Sequence, residues 1–252
     1  MTRTILLFVV SSLFFISSAQ IQQEAIPVSK LMQINSIDVP LKTMPLIDEV
    51  ALRREDETVD KIANIPWRYG VIQYTNIGFD NGSYTYLPNG DRIWRITIKS
   101  EGAQTLNFTF NQYYLVGSSK LFIYNEHYNN VLGAFTKENN KDYGSLTTTL
   151  IPGDKITIEL YEPKEAFDLN KLNLERVVHG YRSLDYQKQW KGIGDSGGCN
   201  INAICPLGDS LRNQIKSVGI LLTSNNYSAG FCSGALVNNT CNDGEPYFLT
   251  AN

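Results

Sequence analysis

The chain has 252 residues, 42% of them hydrophobic, with 22 Lys and Arg against 25 Asp and Glu and a formal net charge of −3. That is enough apolar material for one large domain or two modest ones, and it excludes a disordered tail. Basic and acidic residues are interleaved, so the cationic stripe that a phosphate backbone requires is missing and nucleic acid is excluded as a partner.

Residues 1–19 read as a secretory signal. Arg3 supplies a short positive region, Ile5 to Ile16 an apolar stretch interrupted by Ser11 and Ser12, and Ser17-Ser18-Ala19 the small residues a signal peptidase accepts. Cleavage is expected between Ala19 and Gln20. The apolar run falls short of the roughly twenty residues that span a bilayer. Bacterial-type export to the periplasm or medium is therefore expected, with no membrane contact once the signal is removed. Residues 20–65 form a mixed N-terminal segment. Ile26-Pro27, Val39-Pro40 and Met44-Pro45 predict extended pieces pinned by proline. Ile47 to Lys61 predicts a short charged helix, with Arg53-Arg54-Glu55-Asp56 on its solvated face.

From residue 66 to 180 the pattern becomes regular. Strands are predicted at Trp67 to Tyr74, Arg92 to Lys99, Thr105 to Phe110, Lys120 to Tyr124, Val131 to Phe135, Ser145 to Leu150 and Lys155 to Leu160, with a further one at Leu174 to Val178. The 14 Tyr and 11 Phe, beside many Thr, Ile and Val, suit half-buried pleated surfaces. Turn signals separate the runs, among them Pro88-Asn89-Gly90-Asp91 and Pro152-Gly153-Asp154. This spacing predicts an antiparallel β-sandwich, although a closed barrel would produce the same pattern. Residues 181–193 carry polar side chains with little periodicity and read as a linker.

The four cysteines, Cys199, Cys205, Cys232 and Cys241, all fall in the last quarter, which marks a domain boundary. In an exported chain an even set reads as disulfides, with more than one connectivity open. No Cys-x-x-Cys occurs and neither histidine lies near the cluster, so no metal is expected, and no motif asks for a cofactor. Strands are predicted at Ile215 to Leu222, Phe231 to Val237 and Tyr247 to Ala251, with turns at Asn225-Asn226 and Asn242-Asp243-Gly244.

Cys232-Ser233-Gly234-Ala235-Leu236-Val237-Asn238, followed after a turn by Phe248-Leu249-Thr250-Ala251, resembles the opening of a chymotrypsin-like protease domain of the bacterial lysyl endopeptidase branch. Cys199-Asn200-Ile201, Cys205-Pro206 and Arg212 to Ser217 extend the likeness over about the last sixty residues. The upstream region, with its LPNGDRIWR and LFIYNE stretches, resembles the pro-region of bacterial members of that group. The resemblance implies a mainly β chain, in which an antiparallel β-sandwich pro-region precedes the first strands of a truncated chymotrypsin-like β-barrel. It also implies that the next residue in the family pattern, after Asn252, is the catalytic His, that Cys232 bonds a cysteine just past it, and that Cys199 and Cys205 pair farther on. Cys241 departs from the better-known lysyl enzymes.

Gly194-Asp195-Ser196-Gly197-Gly198 has the form of a protease nucleophile signature. Chymotrypsin-like enzymes order their triad His, Asp, Ser, because His and Asp come from the first barrel and Ser from the second. Here the motif precedes the first barrel, and the only histidines, His127 and His179, lie upstream. Ser196 therefore reads as part of a glycine-rich processed end, each histidine as a surface or hydrogen-bonded structural residue, and no catalytic residue is assigned within residues 1–252. Glu162 and Glu165 read as solvated carboxylates. The oxygen-rich turns Asp80-Asn81-Gly82 and Asn89-Gly90-Asp91 lack the spaced ligand set of a calcium loop. Asn81, Asn107, Asn226 and Asn238 begin glycosylation sequons.

The expected organisation is a signal peptide (1–19), an N-terminal pro-segment (20–65), a β-sandwich pro-region (66–180), a linker with the processing site (181–193) and the start of a trypsin-like protease domain (194–252). Lysine-specific self-cleavage would fall between Lys191 and Gly192, whereas the glycine-cysteine spacing points nearer Gly194. The expected function is that of the N-terminal part of a secreted serine endopeptidase precursor. The complete protein would take polypeptide substrates and cut after lysine, with the pro-region acting intramolecularly on the protease domain. A competing reading is a secreted β-sandwich binding module carrying an inactive protease remnant, with Tyr84, Tyr86, Tyr113 and Tyr114 as a sugar-stacking platform.

Overall fold

The structure is a computed structural model that describes residues 25–36, 38–62, 65–182, 203 and 205–251. Ala19, Gln20, Lys191, Gly192, Gly194, Ser196 and Cys199 lie outside the described residues.

In chain order the elements are helix α1 (Val28–Leu31), strand β1 (Leu41–Thr43), helix α2 (Glu49–Val59), and strands β2 (Trp67–Ile77), β3 (Ser83–Tyr86), β4 (Arg92–Lys99), β5 (Thr105–Tyr114), β6 (Lys120–Asn125) and β7 (Val131–Phe135). Strands β8 (Leu146–Thr147), β9 (Ile151–Pro152), β10 (Lys155–Glu162) and β11 (Lys171–Gly180) follow, then helix α3 (Arg212–Ser217) and strands β12 (Val218–Ser224), β13 (Ser228–Val237) and β14 (Tyr247–Thr250). Among the described residues these strands form two sheets and no closed barrel. One sheet runs β1-β4-β10-β6-β7, with β3 on β4. The other runs β12-β13-β2-β11-β5-β8, with β14 on β13 and β9 on β5. All pairings are antiparallel except β1 with β4.

The core follows from period-2 alternation. Trp94, Ile96 and Ile98 of β4, Ile156, Ile158 and Leu160 of β10, and Leu121 and Ile123 of β6 turn one face inward. Against them lie Leu106, Phe108 and Phe110 of β5 with Leu172, Leu174 and Val177 of β11. Two such faces, each apolar at every second residue, have to pack on one another to leave water, and a sandwich results. The Pro88-Asn89-Gly90-Asp91 signal is a turn: Gly90 adopts φ +84°, and its N–H donates to Leu87 O at 2.8 Å.

The outer face of the first sheet is unusual for a sandwich because it too is buried, by the segment before β1. Glu159 of β10 lies under α1, where its carboxylate accepts from Ser29 N (3.2 Å) and from Tyr124 Oη (2.8 Å). Arg95 of β4 donates to Asn35 O at 3.0 Å. Burial, and then the nearby Glu159 charge, push the Tyr124 phenol well above its ordinary pKa. This explains why β4 is buried nearly throughout rather than alternating with solvent.

Several elements differ from the sequence reading. Ser145 to Leu150 is not one strand: Leu146 and Thr147 pair with β5 as β8, Thr148 N donates to Phe108 O at 3.0 Å, and the short β9 follows at Ile151–Pro152. Ile215 to Ser217 belongs to α3, so the strand begins at Val218. β3 lies where no strand was expected. Glu162 is buried rather than solvated: it accepts from Arg92 Nε at 2.8 Å and from Asn170 Nδ2 at 2.8 Å. Arg92 in turn is held between the rings of Tyr84 (4.3 Å) and Phe167 (4.1 Å) and reaches exposed Asp168 at 2.9 Å. Burial pushes the Tyr84 phenol up to about 12.

Removing one partner of a buried ion pair strands the other in low dielectric. Arg92→Ala is expected to lower unfolding free energy by about 3 to 5 kcal/mol. Asp168→Ala, at the exposed end, is expected to change it by under about 1 kcal/mol. Urea denaturation of the two variants measures both.

Candidate functional site

α2 is a helix with almost no apolar reason to dock. Asp48 caps it, accepting from Ala51 N at 3.0 Å, and of its residues only Asp56 is buried. The expected solvated position of the Arg53 to Asp56 run is thus corrected: Arg54 and Glu55 face water, whereas Asp56 points into the protein. Its carboxylate accepts from Arg68 Nε (2.9 Å) at the start of β2 and from Tyr181 Oη (2.7 Å) just after β11, and it pairs with Arg182 Nη1 at 3.0 Å. Arg53 donates to Tyr181 O at 2.6 Å, and Arg182 also holds Asp60 at 2.6 Å. Burial, reinforced by the hydrogen bond to Asp56, pushes the Tyr181 phenol up. One carboxylate therefore ties together helix α2, the entry of β2 and the exit of β11.

A second polar set lies at the first turn of α2. His179 is fully buried, with Nδ1 2.8 Å from Ser100 Oγ and Nε2 3.3 Å from Glu49 Oε1. Ser100 Oγ also donates to Gln73 Oε1 at 3.0 Å, and Gln73 Nε2 donates to Pro45 O at 2.6 Å. Serine, histidine and carboxylate in a row are the residue types of a nucleophilic relay. The site cannot work as one, because Ser100 and His179 each have 0% exposure and no substrate carbonyl can approach. Its effect is mechanical: it fastens α2 and the Met44-Pro45 segment against β2, β11 and the end of β4. His127, by contrast, is exposed in the turn between β6 and β7.

Arg182 leads to the last segment of the chain. Its guanidinium stacks on the Trp67 ring at 3.8 Å, Trp67 stacks on Phe231 of β13 at 5.7 Å, and Phe231 stacks on Tyr69 at 4.6 Å. Tyr69, Val178, Ala229 and Phe231 form a buried cluster separate from the sandwich core, with Ile72, Leu150 and Leu222 against it. β13 pairs β2 through Ser228↔Val71, Ala229↔Gly70, Gly230↔Arg68 and Phe231↔Trp67. The register shift leaves Tyr69 opposite no residue, a bulge that brings its ring beside Phe231.

β12, β13 and β14 form an antiparallel meander with apolar side chains in water, among them Ile220, Leu236, Phe248 and Leu249. The cysteines expected to form disulfides are free where described: Cys205 and Cys232 are half-buried and Cys241 is exposed. Cys232 Sγ lies 3.5 Å from Thr250 Oγ1. Among the described residues no group of three or more His, Cys, Asp or Glu is arranged to hold a metal, and no helix is long and apolar enough to cross a membrane. In the Asn89 to Asp91 turn the Asp91 carboxylate is taken by Tyr161 Oη (2.7 Å) and Lys164 N (3.1 Å). Asn81, Asn226 and Asn238 are exposed, whereas Asn107 is buried and accepts from Tyr69 Oη.

The four tyrosines of the sugar-platform reading do not converge. Tyr113 is buried with its hydroxyl on Thr136 O at 2.8 Å, Tyr84 flanks Arg92, Tyr86 meets Phe167 edge-on, and Tyr114 lies on the other sheet. Aromatic alternation marks a core as readily as a binding face, which is why sequence alone kept that reading open. The Asp56 clasp went unread for a related reason: a charged run in a polar helix carries no signal of which carboxylate turns inward.

Two-sheet antiparallel architecture ending in an open meander defines a mainly β protein. Residues 193–252 match the family model described as "Lysyl endopeptidase, C-terminal domain". The last segment is thus similar to a lysyl endopeptidase-like family, and the stretches Cys232 to Asn238 and Phe248 to Ala251 within it fall on and around β13 and β14.

Burial holds His179 below its ordinary pKa of 6.5, outweighing the pull of Glu49 and Asp154. The unfolded chain therefore takes up this proton first as pH falls, so the stability contributed is full above about 6.5 and declines below it. Asp91 and Glu126, held low chiefly by hydrogen bonds from Tyr161 and Lys155, act only in more acid solution. Urea midpoints are expected to fall between about pH 7.5 and about pH 5.5. His179→Gln should flatten that dependence.

Proposed function

We propose that the chain is the N-terminal part of a secreted precursor of a lysine-specific serine endopeptidase. Residues 66–180 act as the pro-region, and residues 194–252 open the protease domain. The observation that carries the reading is the family match over residues 193–252, together with the Cys-Ser-Gly-Ala-Leu-Val-Asn and Phe-Leu-Thr-Ala motifs on adjoining strands. The chemistry implied is attack by a serine on the carbonyl of a lysyl peptide bond, with histidine as general base, aspartate orienting it and backbone N–H groups holding the oxyanion. Ser196 is not that serine. Its motif precedes the strands that would carry the base, and the one buried histidine among the described residues is committed to Ser100 and Glu49.

The pro-region assists folding or maintains latency, and processing releases the protease segment after Lys191 or near Gly194. The Tyr181 and Arg182 anchorage supports this reading, because it immobilises the chain just before the expected processing stretch. N-terminal sequencing of the secreted product is expected to begin at Gly192 or close to Gly194, and a start within residues 66–180 overturns the assignment. Residues 1–252 alone are expected to take no label from a fluorophosphonate probe. Labelling lost in Ser196→Ala would identify a different enzyme.

A further inference from the structure

The alternation that turns Trp94, Ile96 and Ile98 inward turns Arg95 and Thr97 of β4 outward, and it does the same for Lys155 and Thr157 beside Ile156 and Ile158 of β10. These four side chains line a cavity of about 260 Å³ between the sheet and the 36–41 stretch, with Leu41 and Glu126 also on its wall. Arg95 is 3% exposed, as deep as much of the core. Yet among the described residues it takes part in no ion pair. Its Nη2 donates to two neutral acceptors, Asn35 O at 3.0 Å and Thr85 Oγ1 at 3.3 Å, and its buried Nε has no hydrogen-bond partner. Glu159, directly across on β10, accepts instead from Ser29 N and Tyr124 Oη. A buried guanidinium with no counter-charge and an unused N–H is costly, and an anion within reach would relieve it.

Further donors share that face. Thr97 Oγ1 and Thr157 Oγ1 lie 2.9 Å apart, and the bond between them uses one hydroxyl proton and leaves the other. Lys155 Nζ holds Glu126 at 2.8 Å and has two more N–H groups to give. We propose that this cavity is a binding site for a small monocarboxylate, whose oxygens accept from Arg95 Nε and the Thr97–Thr157 pair while its carbon body lies against Leu41. Charge sets the class of ligand. The lining sets Arg95 and Lys155 against Glu126 alone, so a monoanion cancels the one positive charge in excess, whereas a phosphate dianion overshoots it with Glu159 close by. Volume sets the length, because the cavity admits about eight water-sized groups and therefore a short-chain acid. Such a ligand touches the 36–41 stretch on one side and β4 and β10 on the other, so its binding would also hold β1 on β4.

NMR titration of the 252-residue chain with butyrate, at about 0.15 M chloride throughout, tests the site. Saturable shifts are expected at the amides of 95–97 and 155–157 and at the Arg95 Nε–H, with a Kd of about 1 mM or tighter. Butyramide, which keeps the shape and lacks the charge, is expected to give no saturable shift, and inorganic phosphate to bind about tenfold more weakly or worse. Butyrate should also slow amide exchange at 41–43. Arg95→Gln is expected to weaken butyrate by about tenfold or more. Should that variant fail to fold, Lys155→Gln, at a half-exposed position, decides: a Kd raised about threefold or more supports the site, and an unchanged Kd refutes it. The absence of a saturable shift up to about 50 mM butyrate overturns the proposal. So does an equal response to butyramide, which would make the cavity an apolar void, or phosphate binding as tightly as butyrate, which would make it a general anion site. Binding requires no proteolysis, so the result stands apart from the function proposed above.

Discussion

A carboxylate removed from water must be met by cations and hydrogen-bond donors, and Asp56 shows what that requirement can organise. Arg68, Tyr181 and Arg182 converge on it from two chain stretches more than a hundred residues apart. α2 buries no apolar stripe, so its position rests on polar anchors, these partners at its second half and His179 at Glu49 in its first turn. With them, the helix becomes a bolt across the entry of β2 and the exit of β11. The same Arg182 lies flat on Trp67, so the polar clasp passes directly into the aromatic stack that receives Phe231.

The sandwich and the last three strands are joined by a continuous sheet rather than by a contact between two closed surfaces. Backbone pairing sets the register, and the small cluster around Tyr69 and Phe231 excludes water from it. Such a junction holds through the backbone hydrogen bonds of the shared ladder. The meander on the far side exposes apolar residues on β12, β13 and β14. The contrast with the tightly filled interior of the two-sheet core is one of burial, not of strand content.

Much of the core was legible in the residues. IWRITIK and KITIEL alternate, and β4 and β10 are strands that put Trp94, Ile96, Ile98, Ile156, Ile158 and Leu160 inside. Legibility ended where a residue's partner was distant in sequence. β3 went unread because Ser83 to Tyr86 is half exposed and exists through its pairing with β4. Glu162 resembled any carboxylate near a strand end until Arg92 was placed 2.8 Å away. Ile215 to Ser217 reads as strand by composition but closes the last turn of α3.

By itself the sequence determined the mainly β character, the positions of most turns and the likeness of the last sixty residues to a protease opening, because alternation, glycine placement and motif order are local or linear properties. Only the tertiary structure decided that Asp56 faces inward, that Ser100, His179 and Glu49 form a sealed fastening, and that β2 and β14 divide one edge of β13. Each of these depends on which distant group arrives to satisfy a charge, a proton or a backbone amide. That arrival is a property of the folded chain as a whole.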